Sequence, residues 1–326
     1  MNQAQSSTRR EVMTHLGNDI DKYSNEFLKS IDSNWQPGEL LPDSSSERFL
    51  EEIQVIQGQS ENLSYDLLAV LIGDTITEEA LPTYQSWLVS MNGVEAQKSE
   101  GWMKWIRGWT SEENRHGDVL NRYLYLSGRV NMPKFEASVQ YLLNDGFDIQ
   151  TGNDPYKSFV YTSFQETATN ISHRRVGTLA KQSGNLVLSK ICGLVASDEA
   201  RHAKAYKTFV ERIFELDPSE MMKAFEFMMR KKIVMPAMYL REVGEKVNTF
   251  ANFSDAAQRL GVYTSIDYIE VMQDLINDWK IAKMGHLSDE AEKARDYIMS
   301  LPDRLLRIAE RMRNPTIEHK FSWIIA

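Results

Sequence analysis

Two short stretches of nearly identical sequence decide the fold: Glu112-Glu113-Asn114-Arg115-His116 and Asp198-Glu199-Ala200-Arg201-His202. Each consists of an acidic residue, Glu, one variable residue, Arg and His. Residues three apart lie on the same face of a helix, so Glu113 and His116 can bind one ion together. The same argument holds for Glu199 and His202. The chain therefore carries one candidate metal-binding pattern twice.

Two further glutamates extend the repeat. Glu78 precedes Glu113 by 35 residues, and Glu166 precedes Glu199 by 33 residues. A Glu-x-x-His from each of two helices, with a lone Glu from each of two others, is the ligand set of ferritin-like di-iron and di-manganese carboxylate proteins. The sequence therefore predicts a four-helix bundle with six ligands pointing inward: Glu78, Glu113, His116, Glu166, Glu199 and His202.

Hydrophobic periodicity predicts an all-α protein, a ferritin-like four-helix bundle core with additional helices, and no strand alternation indicates a sheet. The ligand helices are expected at 65–92, 100–127, 155–183 and 185–216, with a crossover at 129–154 that contains a helix at 134–143. We predict one domain over 1–326, made of an N-terminal arm (1–46), the core (65–216), and additional helices with a C-terminal tail (217–326).

The regions outside the core carry weaker signals. In the arm we expect a short helix near 19–33 and then extended chain, followed by an amphipathic helix at 47–57. Beyond the core, helical periodicity continues to Arg313. We expect it to be broken at four positions: Pro236, Gly261, Gly285 and Pro302. The tail ends in an apolar stretch, 321–325, which we expect to dock on the body of the protein.

Composition excludes several classes of protein. A net charge of −9 argues against general nucleic-acid binding. No apolar run approaches the 18 or so residues that span a bilayer, so no membrane insertion is expected. The single cysteine, Cys192, excludes an intramolecular disulfide and a thiolate metal site. The first 16 residues lack the apolar segment of a secretory signal.

The charge of the six ligands indicates two divalent ions. Burying four carboxylates together is very costly unless cations neutralise them. Carboxylate and imidazole ligands in a helical cage favour iron or manganese, zinc would also bind, and pure oxygen sites suit magnesium or calcium. With iron, the ferritin-like precedent supports O2 activation.

Other residues near the ligands have two interpretations. Thr169 lies one turn after Glu166, so its hydroxyl either faces the metals or bonds back to its own helix. Asp198 and Glu112 are either surface charges with an arginine partner or acceptors for a ligand histidine N–H. His173 continues the Glu166 face. Three tryptophans, Trp102, Trp105 and Trp109, favour core packing, with electron transfer as the less favoured alternative.

Several stretches closely resemble the soluble acyl-acyl carrier protein desaturases of plastids and bacteria. They are TEEALPTY (77–84), WTSEENRHGD (109–118), YLYLSGRV (123–130), YTSFQE (161–166), ASDEARH (196–202), NWQP (34–37), MMRKKI (228–233) and FSWI (321–324). The resemblance runs from about residue 20 to the end of the chain.

This resemblance implies a homodimer with two iron ions per subunit. It implies insertion of a cis double bond into a saturated chain on acyl carrier protein, using O2 and electrons from reduced ferredoxin. All six predicted ligands match the family's motifs. Two of the four glutamates should bridge the irons, with Glu113 and Glu166 facing opposite halves of the bundle. Thr169 matches a threonine beside the O2 site, and Asp198 and Trp35 match residues that link the cluster to the electron donor.

Matched positions also suggest an apolar substrate tunnel, for which ordinary core packing is the alternative. The tunnel residues implied are Trp87, Ser90, Met91, Ile149 and Phe159. Trp87 and Ile149 depart from the common plant pattern, so the double-bond position and the chain length stay open. With no N-terminal plastid address, we expect bacterial cytoplasm, with the plastid stroma as the alternative.

Rival functions are a ferritin-like ferroxidase or iron store, a radical-generating ribonucleotide reductase small subunit, and a purely structural metal site. Storage proteins need little beyond the four-helix core, whereas about 110 residues follow Leu216 here. The reductase subunit would use Asp in place of Glu78 and a dedicated radical tyrosine, and Tyr84 and Tyr161 do not fit that role.

Overall fold

A computed structural model describes residues 3–94, 100–243, 249–313 and 319–325. The α-helices are α1 (Gln3–Gly17), α2 (Ile20–Phe27), α3 (Phe49–Glu61), α4 (Tyr65–Glu78), α5 (Leu81–Val89), α6 (Trp102–Ser127), α7 (Met132–Asp145), α8 (Pro155–Gln182), α9 (Leu186–Leu216), α10 (Pro218–Lys231), α11 (Thr249–Leu260), α12 (Ser265–Asp278) and α13 (Asp289–Ala309). In these ranges the only extended pairing is an isolated bridge between Val130 and Ile324. The all-α prediction is confirmed.

Four of these helices form the bundle that carries the predicted ligands. Helix α4 packs on α6, α6 on α9, α9 on α8, and α8 on α4, which closes the ring. The long pair α8 and α9 is joined by a tight turn at 183–185. Helices α10 to α13 then pack beside this ring, with α11 on α4, α10 on α8 and α9, α12 on α8, and α13 on α10 and α12. The division into arm, core and additions stays a prediction.

Local sequence explains where the bundle helices begin and end. The Asp154 side chain accepts from the Tyr156 N–H, and Pro155 takes the first helical position, where no N–H is needed. Asn185 caps α9 in the same way by accepting from the Leu188 N–H. Gly128 ends α6 with φ at 69°, a left-handed conformation that costs glycine little.

The predicted ligand helix at 65–92 is in fact two helices. Helix α4 ends at Glu78 and α5 begins at Leu81. Pro82 has no N–H to donate to the Glu78 carbonyl, and its ring crowds that carbonyl. The break leaves the Glu78 side chain at the very end of α4. Gly117 of α6 lies close by, since an added Cβ there would meet the Glu78 carbonyl carbon at 3.4 Å.

The N-terminal arm contains more helix than predicted. Helix α1 precedes α2, which ends at Phe27 and not near residue 33. Met13 and Leu16 of α1 are buried, and Arg9 forms a buried ion pair with Asp154 at the start of α8. Polar residues dominate the outer face of α1, and this composition concealed the helix in the sequence.

The C-terminal part follows the prediction with one exception. A 3-10 turn begins at Pro236, and Gly261 separates α11 from α12. Pro302, however, lies inside α13, because it is buried and its packing outweighs the hydrogen bond lost from the Ile298 carbonyl. The tail docks as expected, with Trp323 fully buried and its indole N–H donating to Ser138 Oγ at 2.8 Å.

No helix within the described residues combines the length and the apolar character that crossing a membrane requires.

Candidate metal centre

The structure brings the six predicted ligands together at the centre of the bundle. Their ligand atoms form two groups, and within each group all of them lie within 4.8 Å of one another. The groups are Glu78, Glu113, His116 and Glu199, and Glu113, Glu166, Glu199 and His202. Each of the four bundle helices contributes to these groups, so the site exists only when the bundle is assembled.

Glu113 and Glu199 belong to both groups, so they are the two glutamates placed to bridge a pair of ions. Each is followed three residues later by the histidine on the same helix face. Glu78 and Glu166 occur in one group each. Glu113 and Glu166 share a group, which differs from the expectation that these two face opposite halves of the bundle.

Both histidines direct the same ring atom into the cluster. His116 Nδ1 lies 3.0 Å from Glu199 Oε1 and 3.4 Å from Glu113 Oε2. His202 Nδ1 lies 2.6 Å from Glu113 Oε1 and 3.5 Å from Glu166 Oε2. With Nδ1 facing inward, Nε2 of each ring is left to donate outward. This is the usual arrangement of a metal-binding histidine.

The outward nitrogens meet acids from the opposite repeat. His202 Nε2 of α9 lies 2.9 Å from Glu112 Oε2 of α6, and His116 Nε2 of α6 lies 3.5 Å from Asp198 Oδ2 of α9. Arg201 contacts both acids, at 2.7 Å and 2.6 Å. Both acids are buried, so the structure supports the interpretation as histidine acceptors, and each acid has an arginine partner without being a surface charge.

The two remaining glutamates have different supports. Trp109 Nε1 donates to Glu166 Oε1 at 3.1 Å, whereas His173 Nε2 lies 2.9 Å from Glu78 Oε1. His173 is buried, so it belongs to the wall of the site and not to the surface. The two ends of the cluster are thus held by chemically different partners.

Burial and neighbouring charges shift the pKa values of the carboxyl groups in the cluster strongly. Burial opposes ionisation of Glu113, but the imidazoles of His116 and His202 outweigh it and lower the pKa of Glu113 to about 2. Burial, with the charges of Glu113 and Glu199, raises the pKa of Glu166 well above its usual range. Glu113 and Glu166 therefore ionise together only if positive charge is added at the centre.

The polar atoms at the centre fit metal ions as that source of charge. Four that face the cluster carry no hydrogen bond within the described part of the chain: Glu113 Oε1, His116 Nδ1, Glu166 Oε2 and His202 Nδ1. Buried polar atoms in proteins are normally paired, so atoms that converge without partners indicate a bound ion. Two divalent cations would balance four glutamates and leave both imidazoles neutral.

Comparison with known proteins agrees with this geometry. A family model described as "Fatty acid desaturase" matches residues 8–325. The chain belongs to the fatty acid desaturase family. It is therefore an oxidoreductase.

Two curated relatives illustrate the similarity of this desaturase. It is 47% identical to the chloroplastic stearoyl-[acyl-carrier-protein] 9-desaturase of Olea europaea, over 97% of this chain and 82% of that protein. It is 45% identical to the chloroplastic palmitoyl-[acyl-carrier-protein] 4-desaturase 3 of Ophrys sphegodes, over 91% and 76% respectively.

A solved structure shares the fold. It is the X-ray structure of a Mycobacterium tuberculosis H37Rv protein, DesA2, named as an acyl-ACP desaturase. The TM-score is 0.53, with 17% identity over 87% of this chain and 99% of that one. At this identity the likeness supports the helical architecture alone.

Thr169 of the desaturase lies against the cluster. Its hydroxyl donates to Glu199 Oε2 at 2.5 Å and also lies 3.1 Å from the carbonyl oxygens of Gln165 and Glu166. The two alternatives from the sequence therefore hold together: the hydroxyl bonds back to its own helix and reaches a predicted ligand.

Trp35 and Asp198 are also in contact. Trp35 Nε1 donates to Asp198 Oδ2 at 3.0 Å, and the indole lies parallel to the His116 ring with 6.2 Å between centroids. The Arg115 guanidinium contacts both of these residues: it lies 4.8 Å from the centroid of the Trp35 ring, and its Nη2 lies 3.2 Å from Asp198 Oδ2. Arg115 is the arginine of the first repeated motif, and its repetition as Arg201 was the feature of the sequence that could have indicated these contacts.

A cavity of about 730 Å³ reaches the cluster from the side of α10 to α13. Its inner wall includes Glu78, Glu113, Thr169 and two residues that the sequence reasoning missed, Tyr84 and Gln165. Its outer wall is formed mainly by apolar side chains of the additional helices. Gln165 precedes a predicted ligand and Tyr84 follows one on the next helix, so each lay within reach of the motif.

The five predicted tunnel residues lie outside the lining of this cavity. Trp87 stands just behind it, with its ring 6.1 Å from that of Tyr84. Phe159 packs against Trp102 and Tyr206, and Met91 and Ile149 are buried elsewhere in the core. Ser90 is exposed and donates its hydroxyl to the Trp87 carbonyl. Their place in a tunnel stays a prediction.

Proposed function

We propose that this desaturase inserts a cis double bond into a saturated acyl chain carried on acyl carrier protein. O2 is the oxidant, and reduced ferredoxin supplies two electrons. The observation that carries the proposal is the six-ligand cluster at the inner end of an apolar cavity. An iron store would need the cluster but not a cavity of that kind.

Two iron ions per subunit are the cofactor that these residues fit. One ion would be held by Glu78 and His116, the other by Glu166 and His202, with Glu113 and Glu199 shared between them. Carboxylate and imidazole ligands support iron over magnesium or calcium. When bound, the iron pair supplies the O2 activation that side chains cannot provide.

The protein's own contribution is to position the acyl chain and exclude water. The cavity passes the cluster at Glu113 and Thr169, which would place one pair of methylene carbons beside the metals. A fixed chain conformation and a dry wall both favour removal of hydrogen from one defined position. Thr169 is proposed to act beside the O2 site, with its hydroxyl held toward Glu199.

The mouth of the cavity supports an acidic carrier as partner. It carries Arg230, Lys231, Lys232 and Arg304 alongside the apolar Ile308. The positive charge of Arg230 is partly neutralised, because Arg230 pairs with Glu226 on the same helix. Lys231 and Lys232 are exposed. Basic groups around an opening attract an acidic protein and orient it. The names of the relatives make acyl carrier protein the natural candidate.

Electrons from ferredoxin are proposed to enter through Trp35 and Asp198. Asp198 joins the Trp35 indole N–H to His116, one of the proposed iron ligands. Trp35 is 9% exposed, so it lies just beneath the surface. The three groups give a short hydrogen-bonded route from the surface to the cluster.

A homodimer and a plastid location complete the proposal. Val55 of α3, Tyr125 of α6 and Leu186 of α9 are large apolar side chains exposed by 53%, 68% and 60%. The three helices adjoin, since α3 packs on α6 and Gln59 of α3 accepts from the Leu186 N–H. A second copy would cover them.

The curated relatives are named as chloroplastic, which supports the plastid stroma over the bacterial cytoplasm.

The deciding experiment is gas chromatography of the fatty acids after reaction. Iron-loaded protein is incubated with stearoyl- or palmitoyl-carrier protein, ferredoxin and O2. We expect a mono-unsaturated product from at least one substrate, and its double-bond position gives the regioselectivity. Saturated chains recovered unchanged from fully loaded protein, together with rapid Fe²⁺ oxidation, would instead favour a ferroxidase.

A further inference from the structure

Aromatic side chains form an unbroken series from the cluster to the outside of the bundle. We call this series, Trp109, Tyr206, Trp105, Phe209 and Tyr23, the aromatic chain. Its successive ring centroids are 6.3 Å, 5.9 Å, 5.0 Å and 5.2 Å apart. Its members come from α6, α9 and α2. Trp105 and Trp109 are two of the three tryptophans for which the sequence left electron transfer open. Neither of them lies on the proposed route for incoming electrons, which runs through Trp35.

The inner end of the aromatic chain touches the cluster. Trp109 donates its indole N–H to Glu166 at 3.1 Å, and its ring centroid is 6.4 Å from that of His202. Trp35, on the proposed route for incoming electrons, contacts the other histidine, His116. The aromatic chain therefore meets the cluster at a different imidazole from the donor side.

The outer end reaches charged groups at the surface. Tyr23 is 4% exposed, but its phenol interacts with Arg212, Asp19 and Glu215. The Arg212 and Glu215 side chains are 39% and 51% exposed. A proton leaving the Tyr23 phenol is therefore attracted by the charges of the Asp19 and Glu215 carboxylates.

Packing alone does not account for the residue types in the aromatic chain. Phenylalanine would fill the position of Tyr206 with the same ring, yet a phenol is buried there completely. The phenol oxygen accepts a long hydrogen bond from the Trp105 indole N–H, with 3.4 Å between the oxygen and Nε1. Burying a hydroxyl with so weak a partner is costly. Tyrosine and tryptophan differ from phenylalanine in being readily oxidised by one electron.

We propose that the aromatic chain carries oxidising equivalents out of the cluster when O2 is consumed with no acyl chain in the cavity. This inference rests on the proposed function. Trp109 gives one electron toward the metal pair and is restored in turn by Tyr206, Trp105 and Tyr23, with the Phe209 ring bridging the last gap. Tyr23 loses its phenolic proton to a neighbouring carboxylate as it loses the electron.

A small thiol is the reductant that restores Tyr23, by giving it a hydrogen atom. Two such events join two thiols as one disulfide. In balance, one O2, two electrons from the donor, two protons and two thiols give two waters and one disulfide. The thiols thus replace the two hydrogens that an acyl chain would lose, and the protein escapes oxidative damage near its metals.

The test compares three variants with the wild type. Tyr206→Phe and Trp105→Phe each interrupt the aromatic chain while keeping an aromatic ring. Tyr123→Phe is the matched control, because Tyr123 is buried on the same helix as Trp109 but beyond His116. Reduced, iron-loaded protein without substrate is mixed with O2 and frozen at intervals for electron paramagnetic resonance. After many turnovers, oxidised residues are mapped by mass spectrometry.

In the wild type and Tyr123→Phe we expect a tyrosyl signal that narrows with ring-deuterated tyrosine and is quenched by added thiol. In Tyr206→Phe and Trp105→Phe we expect a severalfold weaker signal, with oxidation products concentrated at Trp109. Iron content and the rate with saturating substrate should be unchanged in both variants.

Equal signals and equal damage patterns in all four proteins would show that the aromatic chain is only packing. A wild type that desaturates substrate normally but forms no aromatic radical would overturn the inference and leave the proposed function standing. An iron-loaded wild type that neither desaturates nor consumes O2 would overturn both.

Discussion

His202 contacts Glu112, an acid of the other repeat, with 2.9 Å between Nε2 and Oε2. The acid in its own repeat, Asp198, instead faces His116. The two pairs cross because α6 and α9 lie against each other, so a side chain one residue before a ligand points toward the neighbouring helix. Each half of the site is thereby supported by the helix that supplies the other half.

The crossed contact predicts a selective effect on metal affinity. Glu112→Gln should weaken Fe²⁺ binding by about 10- to 100-fold at the position held by His202, because the ring loses its anionic acceptor. Titration of metal-free protein should then show two unequal binding steps. Glu211→Gln, at a half-exposed position of the same helix as His202 where the side chain pairs with Lys280, is the control. Two equally weakened steps would contradict the assignment of Glu112 to His202.

Loss of a shared glutamate should be more severe. Glu199→Ala removes a ligand from both groups, so we expect both irons and all desaturation to be lost, as measured by metal analysis and product formation. Glu79→Ala is the matched control, because Glu79 follows a ligand but its side chain accepts from Asn121 Nδ2. If Glu199→Ala retained both iron and activity, the ligand set would be wrong.

The proposed electron route predicts a defect that depends on the donor. Trp35→Phe keeps a ring beside His116 but removes the indole N–H that binds Asp198. We expect full iron content, normal reduction by dithionite and slower reduction by ferredoxin, followed by stopped-flow absorbance. If reduction by dithionite and reduction by ferredoxin were both slower, the substitution would have disturbed the cluster itself and not the electron route through Trp35.

The basic mouth predicts an effect on substrate binding. Lys231→Glu and Lys232→Glu should raise the KM for acyl-carrier protein and leave kcat unchanged, because charges at the rim of an interface act mainly on encounter. The difference from wild type should shrink as salt is added, since salt screens exposed charges. Lys190→Glu, exposed on α9, is the control. An unchanged KM in both variants would place the carrier elsewhere.

Stability should depend on one buried carboxylate outside the site. Asp267 accepts two hydrogen bonds from Arg175, at 2.6 Å and 2.7 Å, and its side chain also caps α12 with Thr264. Burial alone would raise the pKa of Asp267, but the bonds from Arg175 and Thr264 outweigh it and lower that pKa. We therefore expect Asp267→Asn to reduce the free energy of unfolding by about 1–3 kcal/mol at pH 7.

The pH dependence of this loss has a definite sign. A carboxyl whose pKa falls on folding stabilises the protein above its unfolded pKa, about 3.9, and this stabilisation is lost as the pH falls through the folded value. Urea unfolding of wild type and Asp267→Asn should therefore converge in acid. Asp278→Asn, which removes an exposed ion pair to Lys207, should change stability little. A difference that persisted in acid would not come from the ionised Asp267.

The repeated motif was enough to predict most of the bundle, because a helix is a local structure. Its period of 3.6 residues places Glu113 with His116, and Glu199 with His202, on one face whatever the remainder of the chain does. The break after Glu78 was missed although Pro82 was visible, because the apolar pattern continues through it. Helix α1 was missed for the opposite reason, since its polar residues conceal the few side chains it buries, Arg9, Val12, Met13 and Leu16.

Sequence alone determined the ligand types, their spacing and hence the class of metal site, since these depend on residue identity and helical period. Only the tertiary structure decided which acid supports which histidine, that His173 holds Glu78, and that a cavity opens between the cluster and α10 to α13. These relationships join residues far apart in the chain. Their distances depend on how the helices pack against one another, and no local pattern specifies that packing.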